Sequence, residues 1–263
     1  MATNTLWEGR WEDVLPNLEP ESIDLIYTDP PYGKKYKSNI PGDKTWNKTE
    51  TSANKFNSHL LNDCDQGVDW ELLAWHLFRL VKPGAYFFLH CDTNLIANHA
   101  RHFLRDEQGK PRFTLKGEIV WNKNSAVGGD LKGAMKRDWE PILYLCKGKG
   151  VFNHIYVERN GERVLRKRIS ETDDWCFPLP VKEQVGFPTQ KPVALAKQVI
   201  ELTTQPGQTV LDCFAGSGTI PLAAVELQRA YIAIEADDQW MPKLEKRLRQ
   251  ADGDLEKIVQ HEV

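Results

Sequence analysis

The sequence predicts an α/β chain built on one mostly parallel sheet of about seven strands, with helices packed on its faces. Short apolar runs alternate with segments of 3.6-residue periodicity, as parallel strands and their crossover helices do. That alternation breaks off in the middle of the chain and then restarts. With 263 residues, 41% of them hydrophobic, the chain can bury one substantial core and carry a small appended region.

The elements follow in order. "SIDLIYT" reads as a buried strand ending at Asp29, where "DPPYG" places an acid, two prolines and an aromatic ring. The polar stretch 34–65 has no apolar period and reads as a long loop that is either functional or mobile, one able to contact a nucleic-acid partner. "DWELLAWHLFRLV" is an amphipathic helix that "KPG" stops. "AYFFLHC" is a second buried strand, and "TNLIANHARHFLRD" a second helix. "RFTLKGEIVWNK" and "EPILYLCKG" fit a hairpin-like pair at the sheet edge, separated by the Gly-rich "NSAVGGDLKGAMKRD". "ERNGERVLRKR" reads as a basic hairpin turning at "NG". It lies within a compositional outlier, 152–180, that we take as a small recognition region inserted between 1–151 and 181–263. The α/β pattern then resumes: the helix "KPVALAKQVIELTTQPG", the strand "QTVLDCF", the turn and helix "AGSGTIPLAAVEL", the strand "AYIAIEAD" and the helix "QWMPKLEKRLRQ".

Composition narrows the function. The N-terminus lacks the basic-then-apolar form of a signal peptide, and no apolar run approaches the roughly 20 residues needed to span a membrane. Five scattered cysteines without a C-x-x-C pair argue for a reducing, cytoplasmic setting and against a thiolate zinc site; no metal is expected. Cys91, Cys146 and Cys213 read as core. The net charge of −3 hides an uneven distribution, for residues 110–168 hold fourteen Lys and Arg against six Asp and Glu. A basic segment on an acidic body is the footprint of a nucleic-acid partner, although a solvated charged face has the same composition.

"VLDCFAGSGTIPLAA" combines a strand, a Gly-rich turn and a helix, with Glu235 seventeen residues beyond Gly218 at the end of the next strand. Glycines admit close backbone approach, and a carboxylate at that strand end can bind ribose hydroxyls. The third glycine of a dinucleotide site is missing, and no G-K-[ST] follows as in a phosphate-binding loop. Asp212 before the turn suits a cationic ligand. S-adenosylmethionine has a sulfonium, an amine and a ribose but no phosphate, and it fits this combination. "TQKP" opens the preceding helix, with Thr189 as its N-cap and Lys191 near the helix N–H groups, a place for a carboxylate or simply a solvated lysine.

Ligands of open α/β sheets bind outside the carboxyl ends of the strands, so Asp29 and the 212–218 turn can share a cleft. Pro30 and Pro31 fix φ and donate no hydrogen bond. The result is a rigid rim with one carboxylate, one aimed carbonyl and one aromatic face. Such a rim suits the exocyclic amine of a planar base: Asp29 and the Pro30 carbonyl accept its two N–H groups while Tyr32 stacks. In duplex DNA that base must be flipped out.

"DPPY", "VLDCFAGSGT" and "TQKP", in this order, resemble the amino-methyltransferases of DNA, specifically the circularly permuted group whose catalytic motif precedes its cofactor motif. The likeness extends to "VKPGAYFFLHCD" and "IVWNK…EPILYLCKG". It implies a Rossmann-like S-adenosylmethionine-dependent methyltransferase fold that modifies specific sites in double-stranded DNA. By this resemblance Asp29, Pro30, Pro31 and Tyr32 form the catalytic tetrad. Asp212, Phe214, Ala215, Gly216, Gly218 and Thr219 line the cofactor, Glu235 holds its ribose, and Thr189 and Lys191 lie near its methionine end. An acid usual after the first glycine is here Arg10, with Trp11 as a substitute contact for the cofactor adenine. Aspartate at the first tetrad position resembles the adenine-N6 enzymes, whereas serine there resembles the cytosine-N4 ones. Candidate DNA-binding residues are Lys132, Lys136, Arg137, Arg159, Arg163, Arg166, Lys167 and Arg168. The short recognition region raises a homodimer as the DNA-gripping unit, and the resemblance adds a cognate restriction endonuclease as partner. Cytosine-N4 methylation, methylation of an RNA or protein amine, and an inactive nucleic-acid-binding protein on the same fold are the alternatives.

Overall fold

The computed structural model describes residues 4–31, 68–124, 138–153, 155–159, 161–166, 170–172, 175–187, 189–253 and 255–259. Tyr32, the 34–65 loop, Lys132, Lys136, Arg137, Lys167 and Arg168 lie outside the described residues.

One sheet organises the chain. Its strands are β1 (Thr5–Glu8), β2 (Ile23–Thr28), β3 (Val81–His90), β4 (Thr114–Asn122), β5 (Trp139–Cys146), β8 (Thr209–Asp212), β9 (Ala230–Glu235) and β10 (Glu256–Val259), in the order β10-β1-β9-β8-β2-β3-β5-β4. All neighbours from β10 to β3 are parallel, while β5 runs antiparallel to both β3 and β4. The late strands β8 and β9 therefore sit between the early strands β1 and β2, as expected for a permuted chain. A separate two-stranded sheet pairs β6 (Ile155–Arg159) with β7 (Glu162–Arg166), antiparallel and in the register Arg159↔Glu162.

Alternation along the strands divides the core between the two sheet faces. Ile23, Ile26, Phe87 and Leu89 join one buried cluster with the helices Trp70–Leu80 and Thr93–Leu104. Leu25, Tyr27, Tyr86 and Phe88 join the other, with the helices Val193–Thr203, Thr219–Glu226 and Met241–Ala251. β2 is buried at all six positions, so it is the central strand that the apolar run "IDLIYT" demands. Each fully buried Leu or Ile contributes about 1.5–3 kcal/mol. Cys91, Cys146 and Cys213 are buried and free.

Four details differ from the sequence reading. "KPG" does not end the helix before the second strand; Lys82, Pro83 and Gly84 lie inside β3, which starts directly at Val81. Gly84 at φ 83° and a register shift in the β2–β3 pairing absorb the irregularity, and Pro83 then needs no ladder hydrogen bond. "EKIV", which the sequence reading left unassigned, is β10 and pairs with β1 at the sheet edge, the eighth strand among the described residues. Thr189 is not a helix N-cap. The helix starts at Val193 behind Pro192, and the Glu183 carboxylate accepts the Val193 N–H at 3.2 Å, while Thr189 is exposed. Finally, part of the 152–180 outlier is hydrogen-bonded to the edge of the main sheet. Val120 and Asn122 donate backbone hydrogen bonds to Glu171 and Trp175, which covers the outer edge of β4 and buries Trp175.

No helix among the described residues is long and apolar enough to cross a membrane.

Candidate active site

The sheet topology assembles the site on one rim. β2 and β8 are parallel neighbours, so their carboxyl ends emerge side by side and bring Asp29 and Asp212 together from 183 positions apart in sequence. The Thr28 hydroxyl closes the seam by donating to Asp212 Oδ1 at 2.8 Å, and the Phe214 N–H donates to the same oxygen at 3.2 Å. Burial nevertheless pushes the Asp212 carboxyl up to about 7. A buried acid balanced in this way gains most from a cationic neighbour.

The Gly-rich turn runs from there into the helix Thr219–Glu226. Gly216 has φ 49° and Gly218 φ 75°, the left-handed region that glycine enters without a Cβ penalty. A Cβ on Gly216 would stand 2.8 Å from the Phe187 ring, and one on Gly218 2.4 Å from Leu244 Cδ1. Ala215 and Thr219 are buried beside them, and Phe214 is partly exposed. Glu235 ends β9, next to β8, and accepts the Gly216 N–H on Oε2 at 2.6 Å and the Asp237 N–H on Oε1 at 2.8 Å. Burial raises its pKa. Each carboxylate oxygen keeps further acceptor capacity after one amide bond, so Glu235 can still receive a diol. Glycines that admit close approach, a diol-accepting carboxylate and a buried acid for a cation together fit a nucleoside bearing a positive charge. S-adenosylmethionine has that chemistry.

Lys191 occupies a different place from the one its position before a helix implied. Its ammonium contacts Asp29 Oδ2, and it also lies 3.8 Å from Glu140 Oε2. The backbone is pinned there by the Thr219 hydroxyl, which donates to the Lys191 carbonyl at 3.0 Å. "TQKP" is thereby fastened to the cofactor turn, while its lysine reaches the proline elbow.

Sequence reasoning missed the rest of this cluster. Glu140 is the second residue of β5, whose amino end lies at the carboxyl end of β3 because the two strands are antiparallel. Lys123 Nζ contacts Glu140 Oε1 at 3.0 Å. Burial pushes the Glu140 carboxyl up, but the Lys191 and Lys123 ammoniums outweigh it and hold it at about 2. Beneath lie the stacked rings of Tyr27 and His90, joined by a 2.9 Å hydrogen bond between the phenol and Nε2. Burial pushes the His90 pKa down to about 4, so the ring is neutral near pH 7. The hairpin containing Lys123 and Glu140 was legible, but its register, Asn122↔Trp139, was hidden by the intervening loop.

Trp11 is packed into the core at 5% exposure, and the Arg10 guanidinium contacts Glu12 at 2.7 Å. Neither arrangement supports the substitute adenine contact expected of Trp11. Arg159, Arg163 and Arg166 fall on the β6–β7 hairpin, away from the ladder of the main sheet. Among the described residues no cluster of three His, Cys, Asp or Glu could hold a metal ion.

The fold and this rim define a Rossmann-like group-transfer enzyme, with a nucleoside-cofactor turn set beside an acidic proline elbow. The DNA methylase family, which groups N6 and N4 enzymes, matches residues 23–246, and the chain belongs to that family. It is 30% identical over 258 residues to the DNA adenine methyltransferase YhdJ of Escherichia coli K12, covering 89% of this chain and 79% of that protein. The crystal structure of the M1.HpyAVI–SAM complex matches with a TM-score of 0.60 at 24% identity, over 93% of this chain and 99% of that one. The cytosine-N4-specific PvuII DNA methyltransferase has a TM-score of 0.62 at 15% identity, over 97% and 96% of the two chains. The fold is that of the S-adenosylmethionine-dependent methyltransferases, and it is shared by a cytosine-N4-specific enzyme.

Proposed function

We propose that this protein transfers a methyl group from S-adenosylmethionine to N6 of an adenine flipped out of duplex DNA, at specific sites and by direct transfer. The observation that carries the reading is the Thr28–Asp212 seam, which fixes the amine-accepting elbow of β2 against the cofactor turn of β8. Donor and acceptor sites are built on adjacent strand ends of one rigid sheet. Aspartate at position 29 and the adenine specificity named for the Escherichia coli relative favour adenine over cytosine.

Bound S-adenosylmethionine supplies an electrophilic methyl group on a sulfonium. Glu235 holds the ribose hydroxyls, and Asp212 faces the positive end. Asp29 accepts one N–H of the adenine amine and the Pro30 carbonyl the other, which turns the nitrogen lone pair toward the methyl carbon. Tyr32 supplies the stacking face. On transfer the N–C bond would form as the C–S bond breaks with its electron pair going to sulfur, and the amine would then shed one proton to Asp29 or to water. Positioning alone can supply about 7–11 kcal/mol of rate acceleration, and the carboxylate stabilises positive charge developing on nitrogen. Cys213, buried with its thiol pushed up to about 12 by that burial, is unsuited to act as a nucleophile, which supports direct transfer.

Arg159, Arg163 and Arg166 of the hairpin, with Lys132, Lys136, Arg137, Lys167 and Arg168, are proposed to contact DNA. The hairpin is small, which supports a homodimer completing the grip, and a cognate restriction endonuclease is the functional partner of such an enzyme. A cytoplasmic location follows from the DNA substrate. Methyl transfer compared across duplex DNA, structured RNA and a protein extract tests the proposal. Label is expected in duplex DNA; label confined to RNA or protein would overturn it.

A further inference from the structure

Two N–H donors have claims on the Asp29 carboxylate. The proposed function has it accept from an exocyclic amine, while in the structure the Lys191 ammonium is already there. An ammonium held beside the reacting nitrogen also repels the positive charge that develops on it during methyl transfer. Productive binding therefore requires somewhere for that ammonium to go.

The structure supplies the place. Glu140 Oε2 is 3.8 Å from Lys191 Nζ, shielded from solvent, and makes no hydrogen bond among the described residues. Its other oxygen is held by Lys123 at 3.0 Å, so the carboxylate is fixed while Oε2 faces the lysine. A shift of about 1 Å brings Nζ into charge-assisted hydrogen-bond range of Oε2, which the terminal torsions of a lysine allow. The Lys191 backbone need not follow, because the Thr219 hydroxyl holds its carbonyl.

We propose that Glu140 is a positioning residue that draws the Lys191 ammonium away from Asp29 when the target amine arrives. Lys191 is then a placeholder for the substrate. It neutralises Asp29 in the base-free enzyme and yields the carboxylate to the base by moving onto Glu140. Lys123 acts one step further out, by keeping Glu140 in place. This inference rests on the proposed methyl transfer to an amine at Asp29.

The test is a double-mutant cycle read as single-turnover methylation of duplex DNA at saturating S-adenosylmethionine. Glu140→Gln keeps the shape but loses the charge that attracts Lys191, and is expected to slow the step tenfold or more with cofactor affinity unchanged. In a Lys191→Met background no ammonium has to be moved, so adding Glu140→Gln should change the rate less than twofold. Lys123→Met should act in the same direction as Glu140→Gln and be suppressed by Lys191→Met in the same way, which provides a second cycle if the glutamine variant folds poorly. Losses that multiply in both cycles, or a Glu140→Gln defect matched by lost cofactor affinity, would overturn the inference. Wild-type enzyme that methylates no base amine would instead refute the proposed function.

Discussion

The Thr28 hydroxyl donates to Asp212 Oδ1 at 2.8 Å, across the seam between β2 and β8. It joins the strand that ends in the proline elbow to the strand that opens the cofactor turn, in a fully buried setting. Thr28→Val keeps the shape and removes this donor. Leaving a buried acceptor with one partner fewer costs about 1–3 kcal/mol. The Thr28 hydrogen bond also lowers the Asp212 pKa against the larger effect of burial. The variant should therefore melt at lower temperature, and its cofactor affinity should require higher pH than that of wild type. Thermal melts and calorimetric titrations measure both.

Asp212 itself makes cofactor binding pH-dependent. Burial raises its pKa from the ordinary carboxylate range to about 7 in the folded protein. The folded state thus retains a proton that the unfolded state has lost between about pH 4 and 7, and this group's contribution to stability falls as pH rises through about 7. A cationic ligand has the opposite preference and binds best to the ionised carboxylate. S-adenosylmethionine affinity should rise with pH below about 7, on the order of tenfold per unit if binding requires ionised Asp212, and level off above it. Proton release on binding near pH 6, measured by calorimetry in buffers of different ionisation enthalpy, checks the sign. Asp212→Asn should bind more weakly with a flatter profile.

Gly218→Ala and Gly216→Ala separate stability from binding. An added methyl at 218 meets Leu244 Cδ1 at 2.4 Å inside the packed helix pair, in a left-handed conformation. Overpacking of this kind costs about 1–3 kcal/mol. At 216 the obstacle is the Phe187 ring, which is partly exposed and can give way. The added methyl stands in the turn whose Gly216 N–H is held by Glu235, so cofactor affinity should fall more than stability does. Melting curves with and without S-adenosylmethionine distinguish the two. Equal loss of cofactor-induced stabilisation in both variants would contradict this division.

These expectations divide between what local sequence reveals and what only topology reveals. Asp29, Asp212 and Glu235 were legible because each closes an apolar run, and strand ends are where open α/β sheets bind ligands. The buried run "IDLIYT" fixed the central position of β2. The Lys191 ion pair was illegible because it spans 162 positions and depends on β8 inserting beside β2. Glu140 and Lys123 were hidden for a related reason, since their meeting depends on a hairpin register that no local pattern encodes. "KPG" was misread as a stop because proline and glycine at a helix end usually are one, whereas here they form an irregularity at the start of β3. "EKIV" is too short to announce itself, and it becomes a strand by pairing with β1. Thr189 looked like a cap because threonine before a helix often is one, but Glu183 reaches in from the preceding loop instead.

The central claim is methyl transfer to adenine N6 at the Asp29 elbow. Its most direct test is mass spectrometry of nucleosides from duplex DNA treated with S-adenosylmethionine and either the wild-type protein or Asp29→Ala. N6-methyladenine is expected from the wild type. The variant should still bind cofactor but make product slower by on the order of 10²–10³-fold or more, the usual loss when a charge-stabilising group is removed. N4-methylcytosine as the sole product, or an Asp29→Ala protein turning over at the wild-type rate, would contradict the account.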